Sequence, residues 1–149
     1  MATMKAALHD GKGKMELTEA PRPEAGPGEV VVRVRRTGIC GSDLNRYAAN
    51  TTPERLPGGH EVAGEVVEVG PGAESWRIGD RVAIDTLAQG RACSQCWYCQ
   101  RGQYNACRNK VGESGGFAEY IGRLAGGCFR LPDNLSWEEG ALVEPLAVG

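Results

Sequence analysis

The chain has 149 residues, a formal net charge of −2 at pH 7, and a composition that is 41% hydrophobic and 24% charged. These values are typical of one folded domain with its own core, over residues 1–149, and they exclude a disordered chain. Lys and Arg are scattered without a basic stripe, so no nucleic-acid partner is expected. No apolar run approaches the ~18 residues of a membrane span, so no membrane role is expected. The first residues lack the apolar core of a secretory signal, and we expect a cytoplasmic protein.

Short strands separated by turns dominate the predicted secondary structure. The 22 glycines and 8 prolines punctuate brief apolar segments along the whole chain, a pattern typical of β proteins. Apolar and polar residues alternate in the first predicted strand, which indicates a half-buried strand. In chain order, the predicted strands are Glu29–Arg35, Glu61–Val69, Arg81–Asp85 and Phe117–Ile121. We therefore expect a mainly β fold built on a closed or rolled antiparallel sheet.

One helix start is readable near the end of the chain. Ser136 followed three residues later by Glu139 is a capping-box pattern, in which each side chain accepts a hydrogen bond from the other residue's backbone N–H. Pro145 would clash with an established helical turn, so a helix over Trp137–Glu144 should end or kink there. Only short helices are expected.

Two stretches each place a metal-ligand residue type beside glycines. The first is Gly38-Ile39-Cys40-Gly41-Ser42-Asp43, and the second is Gly58-Gly59-His60-Glu61. Glycine allows close approach of the backbone, and Cys, His and Glu are all zinc ligands. Either stretch alone is a weak signal, because a lone Cys or His is more often packed in a core than bound to a metal.

The most specific pattern in the chain is C-x-x-C-x-x-C followed by seven residues and a fourth cysteine, formed by Cys93, Cys96, Cys99 and Cys107. Two-residue spacers let successive thiolates turn onto one ion, and four sulfurs complete the closed tetrahedron of structural zinc. An iron–sulfur run of the ferredoxin type has a shorter third spacer and a Pro after its last Cys, whereas Arg108 stands here. Disulfides are disfavoured in a reducing compartment. The pattern predicts a projecting zinc lobe at about residues 91–110, and the separate Cys128 is expected to be a small buried core residue.

The second stretch continues as Gly59-His60-Glu61-Val62-Ala63-Gly64, five residues and Gly70, which resembles the zinc signature of the medium-chain alcohol dehydrogenase family. Other motifs follow that family's order and approximate spacing: Cys40-Gly41-Ser42-Asp43, Gly79-Asp80-Arg81-Val82, the four cysteines and Gly116-Phe117-Ala118-Glu119-Tyr120. The final segment, from Gly140 to Gly149, resembles the sorbitol or polyol branch, in which a Glu replaces a Cys of simple alcohol dehydrogenases. The resemblance covers nearly the whole chain and implies a GroES-like catalytic domain.

The resemblance implies a catalytic zinc held by Cys40, His60 and Glu61, with Glu144 as a further ligand or as a partner of the zinc-bound water. Three protein ligands leave one position open, where the metal acts as a Lewis acid on a secondary alcohol whose hydride passes to NAD or NADP. With the four-cysteine site, two zinc ions per chain are expected.

The same resemblance assigns roles to two residues of the first stretch. Ser42 matches the hydroxyl that begins the family's proton relay, and Asp43 matches the carboxylate that orients the ligand histidine. Many relatives carry a His three positions after that Ser, whereas this chain has Asn45. Because Asn cannot shuttle a proton, the end of the relay is expected to pass through water.

The family also uses a Rossmann domain to bind its dinucleotide, and the fingerprint of that domain is absent from these 149 residues. No segment has the order strand, G-x-G-x-x-G and helix. Gly11-Lys12-Gly13 lacks the third glycine, and Gly26-Pro27-Gly28 precedes a strand instead of following one. We therefore expect residues 1–149 to be inactive alone, and the full-length enzyme to be a homo-oligomer acting on a small alcohol or polyol.

Other functions remain open from the sequence. A non-catalytic zinc-binding interaction module would need the four cysteines alone, and it predicts one zinc per chain instead of two. A threonine dehydrogenase-like or simple alcohol dehydrogenase activity shares the Cys, His-Glu and four-cysteine pattern. Substrate choice also depends on loops such as Tyr47–Leu56, so the sequence predicts a chemical class and no single alcohol.

Overall fold

The computed structural model describes residues 2–48, 56–86, 88–110 and 115–149, and most of the predicted substrate loop therefore lies outside the described residues. The strands are β1 (Thr3–His9), β2 (Met15–Pro21), β3 (Glu29–Thr37), β4 (Glu61–Val69), β5 (Arg81–Asp85), β6 (Tyr120–Leu124) and β7 (Cys128–Arg130). The helices are α1 (Gly41–Ala48), α2 (Trp137–Ala141) and α3 (Val143–Val148), with single 3-10 turns at Cys99–Arg101, Tyr104–Ala106 and Ala125–Gly127. No helix in the described ranges is long and apolar enough to cross a membrane.

Two antiparallel sheets form the framework, which confirms the expected mainly β architecture. β1 pairs with β2, and the other five strands form a sheet in the order β6-β3-β4-β5-β7. A single antiparallel bridge between Ala6 and Ala118 joins β1 to the segment that precedes β6. β4 lies at the centre of the larger sheet, between β3 and β5. Its first residue, Glu61, therefore begins a strand that has a neighbouring strand on each side.

The central strands agree with the sequence-based prediction, and an edge strand differs. β4 and β5 have the predicted bounds, and β3 runs two residues further, to Thr37. The predicted strand Phe117–Ile121 instead begins at Tyr120 and ends at Leu124. The reason is that the backbone N–H of Phe117 donates to the carbonyl of Gly58, in the loop before β4, and not to a neighbouring strand.

The core lies against both faces of β3 and β4. Val30 and Val32 are fully buried in the main apolar cluster, with Ile121 of β6. Val31, which the alternation of a strand places on the opposite face, is also fully buried, so β3 is enclosed on both faces and not only half-buried as its sequence indicated. A second cluster on the side of α2 is formed by Ala63, Ala83, Leu131 and Ala141.

The predicted capping box is present at the start of α2. The Ser136 hydroxyl accepts from the Glu139 N–H at 3.1 Å, and the Glu139 carboxylate accepts from the Ser136 N–H at 2.7 Å. The helix ends at Ala141, earlier than Pro145 would require, and Leu142 links it directly to α3. Pro145 lies in the first turn of α3, where its missing N–H has no helical partner to lose.

We expect Ser136→Ala to lower the free energy of unfolding by about 1 kcal/mol, because the Glu139 N–H in the first turn of α2 loses its acceptor. The Ser136 N–H, and after it the Ser136 hydroxyl that this variant removes, hold the pKa of Glu139 below its ordinary value. A depressed carboxyl pKa stabilises the fold above the pKa of the unfolded chain, and the contribution is lost as pH falls through the folded value. The effect should therefore shrink in acid. Urea unfolding of this variant and of the exposed control Ser75→Ala measures it, and equal stabilities at pH 7 would contradict the cap.

Candidate functional site

Three of the predicted zinc ligands meet at one point. One ligand atom from each of Cys40, His60 and Glu61 lies within 4.8 Å of the others. Cys40 directly precedes α1, His60 directly precedes β4, and Glu61 is the first residue of that central strand. Thiolate, imidazole and carboxylate are the donor types found in catalytic zinc sites, so these side chains fit the metal that the sequence implies.

A close backbone contact brings the two ligand segments together. The Gly38 N–H donates to the Glu61 carbonyl at 2.8 Å. A Cβ atom at position 38 would overlap the Glu61 carboxylate, so glycine is required there by the approach itself. Gly38, two residues before Cys40 in the sequence, therefore marks a packing constraint at the site.

Asp43 links the start of α1 to the ligand histidine. Its Oδ2 accepts from the Cys40 N–H at 2.9 Å, as an N3 side chain does in a helix capping box. Its Oδ1 lies 3.8 Å from His60 Nδ1, and the two side chains are 10% and 14% exposed. This separation is longer than a direct hydrogen bond, yet it places a carboxylate beside the ring nitrogen, where it favours one orientation of the imidazole.

Thr86 holds His60 from the opposite side, and sequence reasoning did not select it. The Thr86 hydroxyl donates to the His60 carbonyl at 3.1 Å, and the Thr86 side chain is buried. The available signal was its place directly after β5, the strand that pairs with β4. His60 is thus restrained through both its ring and its backbone.

The other residues of the predicted site lie on two helices. Ser42 and Asn45 are exposed on α1. Glu144 is half-buried in the first turn of α3 and lines a cavity of about 430 Å³ with Asn105 and Phe129 among others. Among the described residues, Glu144 does not join the group of ligand atoms at Cys40, His60 and Glu61. Its role, as a further ligand or as a partner of the zinc-bound water, stays a prediction.

The four cysteines form a second group. The described sulfur separations run from 3.4 Å, between Cys96 and Cys99, to 4.0 Å, between Cys93 and Cys99. A tetrahedron with zinc–sulfur bonds of about 2.3 Å has edges of about 3.8 Å, which these separations bracket. Disulfide sulfurs would be about 2.05 Å apart, and all six cysteines are free. The geometry excludes the disulfide alternative and fits a four-sulfur metal site.

The lobe around these cysteines is cationic. Residues 91–110 contain no Asp or Glu, and their basic residues are Arg91, Arg101, Arg108 and Lys110. Backbone N–H groups of Gln95 and Cys96 lower the pKa of Cys93 to about 6, whereas burial raises the pKa of Cys99 to about 12. Four thiolates with one divalent ion carry a net charge of about −2, which nearby cations stabilise.

Comparison with known proteins agrees with this geometry. Residues 26–133 match the family described as the alcohol dehydrogenase GroES-like domain, and the chain belongs to that family. It is 39% identical over 153 residues to a sorbitol dehydrogenase of Bombyx mori, covering 96% of this chain and 43% of the relative. It is 44% identical over 140 residues to an L-threonine 3-dehydrogenase of Pyrococcus furiosus, covering 88% and 39%.

A solved structure supports the same assignment. The galactitol-1-phosphate dehydrogenase of Escherichia coli superimposes with a TM-score of 0.81 at 35% identity, covering 97% of this chain and 43% of that one. The chain thus spans about two fifths of the length of these relatives. What they share with it is the family domain that carries both ligand groups.

We predict contrasting reactivity for two thiols in the metal-free protein. Cys128 is buried, as expected from the sequence, and burial raises its pKa to about 12. The thiolate is the reactive form, so iodoacetamide at pH 7 should modify Cys93 early and leave Cys128 intact until the sheet unfolds. Peptide mass spectrometry over time measures the order. Early modification of Cys128 in the folded protein would contradict its place in the core.

Proposed function

We propose that this chain is the zinc-binding catalytic domain of a dehydrogenase that oxidises a secondary alcohol or polyol and transfers its hydride to NAD or NADP. The observation that supports this function is the convergence of Cys40, His60 and Glu61 beside the mostly buried Asp43. A zinc-binding interaction module needs only the four cysteines, and it gives no reason for a second group of ligands at the end of the central strand.

The two groups of ligands suit different roles. Four sulfurs fill the coordination sphere of a structural zinc, whereas Cys40, His60 and Glu61 leave a position for substrate. When bound there, a zinc ion supplies Lewis acidity toward the substrate oxygen. Asp43 lies next to Nδ1 of His60, which favours Nε2 as the nitrogen that faces the metal.

Ser42 is proposed to receive the substrate proton. Its hydroxyl can accept one proton while it donates another, and it lies in the first turn of α1, close in sequence to Cys40. α1 has no buried residue, so Ser42 itself borders solvent. A proton that reaches this hydroxyl can leave directly to water, and the position occupied by Asn45 need not carry it further.

The proposed substrate is a polar molecule with a hydroxyl on an internal carbon. Sorbitol and L-threonine, for which two relatives are named, both have such a hydroxyl beside other polar groups. The cavity beside α3 mixes apolar side chains with Asn105 and Glu144, which supply an amide and a carboxylate for additional hydroxyls. We favour a polyol, with a threonine-like or simple alcohol as the alternative, and a homo-oligomeric full-length enzyme.

The zinc content tests the proposal. We expect two zinc ions per chain, with His60→Ala reducing the number to one because the remaining Cys40 and Glu61 bind weakly. Cys107→Ser should remove the other ion and make residues 91–110 sensitive to protease, since a structural zinc stabilises the loop around it. Elemental analysis of purified protein gives the counts, and Cys128→Ala is the control that should retain both ions. A single zinc in the wild type would favour the interaction module.

Residues 1–149 expressed alone are expected to bind neither NAD nor NADP. All described strand pairs are antiparallel, so these ranges offer no βαβ unit with a glycine-rich turn for a pyrophosphate. Calorimetric titration with each dinucleotide measures this. Saturable binding tighter than about 100 μM, within the usual range of KM values, would contradict the expectation.

A further inference from the structure

A short segment before β6 is hydrogen-bonded along the loop that delivers His60. Three consecutive backbone N–H groups donate to three consecutive carbonyls of that loop. The donor and acceptor pairs are Gly115 to Pro57 at 2.5 Å, Gly116 to Gly59 at 2.9 Å and Phe117 to Gly58 at 2.9 Å. The carbonyls on the N-terminal side of His60 are therefore fixed by a segment more than fifty residues away in sequence.

The two backbones are in direct contact. A Cβ atom at Gly115 would overlap the carbonyls of Gly58 and Gly59, and one at Gly116 would overlap the Val62 side chain. Side chains larger than hydrogen would separate the segment from the loop. The first side chain of the segment that has room is that of Phe117, and it is half-buried.

The Phe117 ring lies against the residue that precedes the ligand. Gly59 has φ of +86°, and a Cβ atom placed on it would lie 2.8 Å from Phe117 Cδ1 and 2.9 Å from Cε1. The backbone of Phe117 is itself anchored, because its carbonyl accepts from the Ala7 N–H of β1 at 2.8 Å. The ring that packs against Gly59 therefore belongs to a residue whose backbone is hydrogen-bonded to β1 of the smaller sheet.

We propose that Phe117 is a positioning residue for the ligand His60. Glycine has the widest backbone freedom of any residue. The backbone conformation of Gly59, which sets the position of His60, therefore has to be restrained by contacts with other segments. The hydrogen bonds restrain the carbonyls, and the ring limits movement of the Gly59 backbone toward it. With Thr86 on the carbonyl of His60, this contact aims the imidazole at Cys40 and Glu61. The inference rests on the proposed metal site and adds the residue that sets its geometry.

Metal affinity and cobalt spectra test this role in the folded chain. Phe117→Ala should weaken cobalt or zinc binding at the Cys40, His60 and Glu61 site by at least about tenfold, the usual lower effect of removing a group that orients a ligand. The visible absorption of cobalt at that site should also shift, because it reports ligand geometry. The four-cysteine site should keep its metal. Phe117→Leu, which restores much of the volume, should show a smaller loss in the same direction.

Ile78→Ala is the control, because Ile78 is a large apolar side chain that is 73% exposed in the turn before β5 and belongs to neither ligand group. It should retain wild-type affinity and spectrum. Wild-type affinity and spectrum in a folded Phe117→Ala would overturn the positioning role. If that variant fails to fold, Phe117→Leu decides, and a wild-type affinity and spectrum there would overturn the role equally. A wild-type chain that binds metal only at the four cysteines would instead overturn the proposed function.

Discussion

The ligand cluster depends on backbone segments that approach one another more closely than side chains allow. Gly38 lies against Glu61, and Gly115 lies against the carbonyls of Gly58 and Gly59. Each contact carries a backbone hydrogen bond between segments that are distant in sequence. A methyl group at Gly115 would push two backbones apart, and one at Gly38 would displace the Glu61 carboxylate, so both glycines help the three ligands to meet. The geometry of the site therefore depends on the absence of side chains at Gly38 and Gly115 as well as on the ligand side chains themselves.

The sheet supplies the rigidity that these contacts need. Glu61 opens the central strand β4, and the next two residues, Val62 and Ala63, are essentially fully buried. The loop that carries His60 thus leads into a strand that is paired on both sides, whereas Cys40 lies in the connection between β3 and the exposed helix α1. Glu61 is held by the sheet, and Cys40 is held by its hydrogen bond to Asp43 at the start of α1. His60 is restrained by Asp43 at its ring and by Thr86 at its carbonyl. Placing the three side chains on or directly before regular elements keeps their geometry within the narrow limits that metal chemistry requires.

Local features were predictable from sequence, and features created by distant contacts were not. The four cysteines lie within fifteen residues, so their spacing alone indicated a common ion, and the alternation of β4 gave its bounds. β2 and α1 were not predicted: α1 spans only eight residues, too short for its periodicity to stand out, and β2 has no buried residue. Cys40 and His60 were joined only by family resemblance. The roles of Thr86 and Phe117 depend on which segments meet in space, and the place of Thr86 directly after β5 does not by itself indicate its hydrogen bond to His60.

The two metal groups therefore depend on the fold in opposite ways. The cysteine lobe has a small apolar cluster made mainly of its own cysteines with Ala92, so its order would rely on an ion held by those cysteines. The Cys40, His60 and Glu61 group is assembled by strand pairing, glycine contacts and the Asp43 cap, all of which are present in the protein itself. A site organised by protein contacts can keep its shape while one coordination position stays open. A closed site has no open position to preserve and can use all its ligands to stabilise the loop. An alcohol-oxidising domain with one catalytic and one structural zinc would need both kinds of site.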